Sequence, residues 1–328
     1  MILQYPGWSF AVGLALCVPI GAQPAPAQDY PKRSVRMLVG SPPGAATDVV
    51  ARLIAPKYAE ALKQQFIVDN RPGANGTIAT DLAAKAAPDG HTVHLATIGS
   101  LVIMPALTKV PYDPMRNLAP VSQVVSLQNV FIVHPGLPAA TLNELIALAK
   151  KQPGALHYAT SGNGSPGHLA GELFKSMARV DILHVPYRGG GPLPTDFAAD
   201  QTRLFVVLTA TAVPPVKAGK ARALAVTGSK RVAALPAVPT VAETGLGGYE
   251  ASTWYGLVVP AGTPQRIIDR LHKETAAILS MPDIQKALQE RGIEVAPSLP
   301  EQFFAYIKGE TAKWTKVIEV TKLEAKSP

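Results

Sequence analysis

The chain has 328 residues, 47% of them hydrophobic and 16% charged, a balance that belongs to a globular protein able to bury a sizeable core without metal or disulfide staples. Its 31 prolines and 27 glycines stay below the combined share of about 25–30% that marks low-complexity chains, which excludes disorder as the organising state. The formal charge of +8 attracts anionic partners at long range, but basic residues never run beyond pairs such as Lys32-Arg33 and Lys150-Lys151 and aromatics are only 6%, so nucleic acid finds no basic stripe with stacking rings.

The single cysteine, Cys17, lies in an apolar stretch from Trp8 to Ile20, followed by Gly21-Ala22-Gln23-Pro24-Ala25-Pro26-Ala27. The stretch is shorter than the roughly 20 residues of a bilayer-spanning helix, and Ala25-Pro26-Ala27 supplies the small residues of a signal peptidase site. Residues 1–27 therefore read as a secretory signal peptide cleaved before Gln28, although its first seven residues hold no Lys or Arg. Leu16, just before the cysteine, does not fit a lipoprotein signal. Cleavage leaves no cysteine and hence no disulfide or thiol chemistry.

From Asp29 onward, short β-branched runs alternate with segments of helical period, the mark of α/β units. Val35 to Val39 reads as the first strand, followed by the turn at 42–48 and a helix whose apolar face includes Val49, Leu53, Ile54 and Leu62. Phe66 to Asp69 is the second strand, ending in the turn Asn70-Arg71-Pro72-Gly73. A helix over 77–87 and a strand over 92–97 complete the first unit. Val130 to Val133 is the next strand, before a helix carrying Leu142, Leu145, Ile146 and Ala149 at i, i+3, i+4, i+7. Strands at 156–159 and 182–186 flank the helix opened by Ser165-Pro166, where Ser165 is the N-cap and Leu169, Leu173 and Met177 form the buried face. Strands follow at 204–208, 223–227 and 255–259. Three helices end the chain. Thr263-Pro264 caps the first, Gly292 stops the second, and Phe303, Ile307, Trp314 and Ile318 share a face of the last.

Three glycine-bearing loops, at 42–48, 97–100 and 160–167, each follow a strand and open a helix. A helix N-terminus offers unpaired N–H groups and partial positive charge, so such loops are anion sites in waiting. Each glycine can equally serve only a tight turn; three such loops in one α/β chain point to a shared cleft. Gly162, Gly164 and Gly167 also fit a dinucleotide fingerprint, but Asp181 begins the following strand where the acidic residue should end it. No nucleophile elbow, zinc helix or phosphate-binding P-loop is present. His91 and His94 fall on opposite faces of a strand, and His168 sits in the first turn after the Ser165 cap, where a local hydrogen bond suits it better than catalysis.

Eight segments, in order, resemble the tripartite tricarboxylate transporter substrate-binding family, the Bug receptors: PPGAATDVVAR (42–52), DNRPGANG (69–76), PDGHT (88–92), YATSGNGSPGHLAGELF (158–174), HVPYRG (184–189), RALAVTGSKR (222–231), VPTVAETG (238–245) and WYGLVVPAGTP (254–264). The resemblance covers about Tyr30 to Trp314. It implies a two-lobed α/β periplasmic binding protein of the type II-like, Venus-flytrap kind, each lobe a mostly parallel sheet flanked by helices. The chain would cross between lobes near Gln128–Val130 and Thr253–Gly256, so that 28–128 plus 254–328 form lobe 1 and 129–253 form lobe 2. It further implies a monomeric periplasmic receptor, not an enzyme, without cofactor or metal, which captures a small organic carboxylate and passes it to membrane permease subunits of a tripartite tricarboxylate transporter. The carboxylate would be held by loop N–H groups, hydroxyls and bridging water. By position, the ligand-binding residues are Gly44, Ala45, Ala46, Thr47 and Asp48; Thr97 and Ser100; Ser161, Gly162, Asn163, Gly164 and Ser165; and Tyr187, Arg188 and Gly189. Two other readings stay open: a periplasmic hydrolase working through Asp48 or His168, and a ligand-sensing receptor for a two-component system.

The sequence departs from the family pattern at several points. Ala45 and Ala46 stand where relatives usually carry glycine, and Ile98, Leu101, Met104, Val207 and Leu208 stand where polar residues are common. Five polar-to-apolar changes argue against a polyanion such as citrate and favour a monocarboxylate or an aromatic or otherwise apolar acid. Asp48 either meets a ligand amino group, as in some relatives, or favours the helix N-terminus.

Overall fold

A computed structural model describes residues 1–4, 30–187 and 202–321. Of the signal peptide expected over 1–27, only residues 1–4 fall within it, exposed and without regular structure. Residues from Pro31 onward make one compact unit.

Val35–Val39 (β1), Phe66–Asn70 (β2) and Thr92–Thr97 (β3) pair in parallel, in the order β2-β1-β3, and are joined through helices Ala46–Leu62 (α1) and Thr77–Ala84 (α2). These strands have the boundaries that β-branched content implies, to within a residue. After β3 the chain forms a π-helical turn, Gly99–Ile103, and two short helices, Met104–Leu107 (α3) and Pro114–Asn117 (α4). It then enters Leu118–Val133 (β4), a strand of 16 residues.

Sequence patterning predicts only the last four residues of β4. Bulges between Pro120 and Ser122 and between Gln123 and Val125 break the two-residue alternation on which strand recognition rests, so its first part reads as a polar connection. β4 is also where the sheet changes composition. Up to Gln128 it pairs with Ser252–Pro260 (β9) and Glu294–Val295 (β10); from Asn129 it pairs with Leu204–Leu208 (β7) and Arg222–Val226 (β8). Beyond β7 lie His157–Thr160 (β5) and Leu183–Pro186 (β6), parallel to each other, with β5 parallel to β7. Helices Leu142–Lys151 (α5), Pro166–Ala178 (α6) and Thr209–Lys217 (α7) accompany this second set.

The fold is the expected two-lobed α/β architecture, with one correction: the sheets are mixed, not mostly parallel. β9 returns from late in the chain, inserts between β3 and β4 and runs against both, while β7 and β8 run against the end of β4. Helices Gln265–Leu279 (α8), Pro282–Gln289 (α9) and Pro300–Thr321 (α10) complete the chain. α8 begins one residue later than its sequence signal: Pro264 has ψ 134°, outside the helix, and the Thr263 hydroxyl donates back to the Pro260 carbonyl at 2.7 Å instead of capping.

α10 buries Phe303, Ile307, Trp314 and Ile318 as its period requires, and Glu310 with them. The Glu310 carboxylate accepts from the indoles of Trp314 (3.1 Å) and Trp254 (3.4 Å), which offsets the cost of burying it. Trp254 meets Phe303 edge to face at 5.3 Å. A single apolar cluster thus runs from Leu38 and Ala96 through Trp254 and Phe303 to Phe131, Tyr158 and Phe174, linking both strand sets.

Candidate functional site

The loops that follow β1, β2, β3 and β5 open onto one cavity of about 860 Å³, closed on other sides by Tyr187 after β6, Leu208 at the end of β7 and Tyr255 of β9. Placing ligand groups outside the carboxyl ends of strands is the general habit of open α/β sheets. Of the residues picked out from sequence, Ala45, Ala46, Thr47, Thr97, Ser100, Ser161, Gly162, Asn163, Gly164, Ser165 and Tyr187 line it. Gly44 and Asp48 do not, and Arg188 and Gly189 lie outside the described residues.

Asp48 supports the first loop from behind. Its carboxylate accepts from the Gly44 amide (2.9 Å), Asn70 Nδ2 (2.9 Å) and Arg52 Nε (3.0 Å), and Asn70 Nδ2 also donates to the Ser41 carbonyl (3.0 Å). Burial works against the charged carboxylate, but the bonds from Arg52, Gly44 and Asn70 outweigh it and hold the group below its ordinary value. Gly44 has φ +82°, a left-handed turn that lets its N–H face back to Asp48.

The loop between β2 and α2 was read from sequence as a turn alone, yet Pro72 to Gly76 lines the cavity. It follows a strand and opens a helix, as the other three glycine loops do, and that shared grammar was the signal that could have found it. Its path is unusual: Ala74 (φ +44°) and Asn75 (φ +52°) both sit in the left-handed region without being glycine. Gly76 passes so close to Gly40 that a Cβ on Gly40 would lie 2.6 Å from the Gly76 Cα. The loop carries Asn75 across the cavity, where Nδ2 donates to the Asn163 carbonyl and reaches Met104 Sδ at 3.5 Å.

Below this loop, His94 Nδ1 donates to the Leu38 carbonyl (3.0 Å) and Nε2 accepts the Thr80 hydroxyl (2.9 Å). Burial lowers His94 to about 4, so it is a neutral strut. Ser100 is locked by its own turn: its hydroxyl donates to the Thr97 carbonyl (3.3 Å), and Tyr112 donates to the Ser100 carbonyl (2.7 Å). Across the cavity, Ser165 caps α6 as its sequence position requires, its hydroxyl accepting the His168 N–H at 3.2 Å.

Only two of the five apolar departures face the cavity. Met104 and Leu208 line it, while Ile98 and Leu101 are buried core residues and Val207 packs against the apolar cluster under β7 and β8. Sequence position alone could not separate these, because the π-helical turn at 99–103 buries Leu101 and leaves Met104, just after it, facing the cavity. Leu107, one turn beyond Met104, adds to the apolar wall. Among the described residues, no Lys, Arg, Asp or Glu lines the cavity, and no group of three metal-ligating side chains occurs.

A hydrolase would need Asp48 or His168 aimed at the cavity. Asp48 is engaged behind its loop, and the His168 Nδ1 accepts the Gly164 N–H at 3.0 Å. The arrangement can hold a small molecule by hydroxyls, amides and loop N–H groups; among the described residues, neither Asp48 nor His168 is aimed at the cavity as a nucleophile or base.

The family model described as tripartite tricarboxylate transporter family receptor matches residues 50–323. Among solved structures, an R. palustris protein solved with adipate is 36% identical, with a TM-score of 0.85, covering 90% of this chain and 99% of its own. The periplasmic binding protein BugD is 33% identical, with a TM-score of 0.83 and the same coverages. MatC from Rhodopseudomonas palustris, solved with bound malate, is 30% identical, with a TM-score of 0.81, covering 88% of this chain and 100% of its own.

Proposed function

The chain belongs to the tripartite tricarboxylate transporter family of receptors, and on that footing we propose that it captures a small acid with an apolar body in the periplasm and delivers it to the membrane permease subunits of such a transporter. That it is a carboxylate-binding receptor and not an enzyme follows from the family and its solved members. The finer reading rests on one observation: a cavity walled by four glycine-bearing loops, with Met104, Leu107 and Leu208 on its surface and no charged side chain among its described lining residues. Among the described lining residues a carboxylate meets neutral donors only, and carboxylates crowded together as in citrate would have no cation from those residues beside them and would lose hydration against apolar walls.

Two solved relatives hold adipate and malate; the apolar wall here favours the adipate-like aliphatic body, a monocarboxylate or an aromatic acid. The lobes are residues 28–128 plus 254–328 and residues 129–253, meeting where β4 changes partners. The ligand contacts are Ala45, Ala46 and Thr47, Thr97, Ser100, the loop residues 161–165 and Tyr187, with residues 72–76 added. The protein acts as a monomer released by cleavage of residues 1–27, and among the described residues no helix is long and apolar enough to cross a membrane.

Micromolar capture requires about 8 kcal/mol. Two or three hydrogen bonds to one carboxylate, at about 1.5–3 kcal/mol each, with apolar burial of the remainder, reach that value. Contacts from the second lobe then favour the closed form by differential affinity. The test is a thermal-shift panel of citrate, malate, adipate, hexanoate and benzoate, followed by calorimetry and recovery of the ligand. An acid at 100-fold its Kd should add about 2.7 kcal/mol of stability and be recovered intact. Stabilisation by citrate, with none by adipate, hexanoate or benzoate, would sink the apolar-acid reading; turnover would sink the receptor reading.

A further inference from the structure

Behind the Ser161–Ser165 loop, on the side away from the cavity, two histidine rings are stacked: His168 of α6 and His184 of β6, with centroids 3.8 Å apart and planes 13° from parallel. Each holds a different glycine of the loop. His168 Nδ1 accepts the Gly164 N–H at 3.0 Å while its own backbone N–H donates to Ser165 Oγ. His184 Nε2 lies 2.7 Å from the Thr160 hydroxyl, which donates to the Gly162 carbonyl and accepts the Gly162 N–H, both at 3.2 Å. The Thr160 hydroxyl thus ties His184 Nε2 to both polar groups of Gly162. With Gly164 donating, His168 Nδ1 must be unprotonated.

The loop has little stiffness of its own, since Gly162 (φ +133°) and Gly164 (φ +68°) need conformations open to glycine. In front, Gly164 abuts Met104, Leu107 and Asn75. The loop is therefore set between the histidine pair and the opposite wall of the cavity.

We infer that the His168–His184 stack is the positioning device of the ligand loop: it fixes the Gly162 and Gly164 amides from behind, and a proton on His168 Nδ1 would release Gly164 and lower affinity. The inference rests on the receptor reading, which makes this loop part of the binding site. Among the described residues, the ionisable groups around the pair are Glu172 and Lys175 on α6, Tyr158 on β5, and Tyr249, whose hydroxyl donates to the Ala170 carbonyl. Tyr158 and Lys175 both bond to Glu172 Oε1, at 2.7 and 2.8 Å, so Lys175 offsets much of the Glu172 charge that would favour an imidazolium at His184. Burial, then Lys175, lowers His168 to about 4; burial, then His168, lowers His184 to about 3. Both rings are therefore neutral at neutral pH, and His168 Nδ1 is free to accept the Gly164 N–H.

The test compares the unmodified protein with His168→Leu and His168→Asn. Asn places Oδ1 where Nδ1 stands, an acceptor that does not titrate. Two readouts are taken: protection of the Gly164 amide from hydrogen exchange in the ligand-free protein at pH 7.5 and 3.5, and Kd for adipate at pH 7.5. His168→Leu should lose Gly164 protection and weaken adipate about 5- to 10-fold, the scale of one hydrogen bond. His168→Asn should keep both at pH 7.5 and, unlike the unmodified protein, keep Gly164 protection at pH 3.5, below the value of about 4 at which His168 takes its proton. Unchanged protection in His168→Leu overturns the inference, as does a loss in His168→Asn equal to that in His168→Leu. If adipate fails to bind the unmodified protein, that counts against the ligand class alone, and the exchange readout decides the role of the histidines.

Discussion

Replacing Asp48 by Asn removes one charge from a side chain that is 3% exposed and holds three donors at 2.9–3.0 Å. The Gly44 amide and Asn70 bonds are part-buried and charge-assisted, about 1.5–3 kcal/mol each. Arg52 is 54% exposed, so its pair adds no more than about 1 kcal/mol. The Asn oxygen keeps one donor, while its amide turns a fourth donor toward groups that want an acceptor. Allowing for water entering beside Arg52, the loss is about 2–4 kcal/mol, or roughly 5–10 °C in Tm for a chain of this size. Because the folded carboxyl is held below its unfolded value of 3.8, its stabilisation is full above that pH and is lost as pH falls through the folded value. The difference between the two proteins should therefore be flat from pH 8 to 5 and narrow only in strong acid. The assay is chemical denaturation of ligand-free protein across that range. A loss under 0.5 kcal/mol (about the effect of a neutral surface change), or a gap that widens with acid, would refute the view of Asp48 as the internal fastening of the first loop.

The remaining expectations are briefer. His94, His168 and His184 are held at about 4, about 4 and about 3 against an ordinary 6.5, so the unfolded chain binds protons first and stability should decline as pH falls from about 6.5 toward 4. His94, 1% exposed, alone accounts for about 3 kcal/mol at the acid end; a urea midpoint unchanged between pH 7 and 4.5 would contradict this. Gly40→Ala sets a methyl 2.6 Å from the Gly76 Cα, backbone against backbone with no rotamer to turn away, and should lower stability by about 1–3 kcal/mol in a thermal melt. Met104→Ser removes apolar wall, so affinity for hexanoate should fall about tenfold while malate gains in rank; calorimetry showing both acids weakened alike would remove Met104 from the specificity wall.

Much of this molecule was legible before its structure, and the reason is the range over which each signal acts. β1, β3 and β7 have the sequence-derived bounds because β-branched runs between turn residues are local; Ser165 caps α6 because the cap spans three residues. The buried face of α10 follows from its period alone, since i, i+3 and i+4 share a side whatever lies opposite. Three of the four loops around the cavity were found by the strand–glycine–helix grammar.

What depended on distant partners was not legible. β4 is long because β9 and β10 on one half and β7 and β8 on the other pair with it, and its bulges hide that from any reading of alternation. The loop at 72–76 lines the site in the folded chain, where Asn75 bonds Asn163, a residue 88 positions away. Asp48, Ile98 and Leu101 were near the site in sequence and turned away from it in space. The sequence by itself determined which segments could bind an anion, since helix N-termini and glycine turns are properties of a few adjacent residues. Only the tertiary structure decided which side chains face the ligand, because facing is set by packing between strands far apart in the chain.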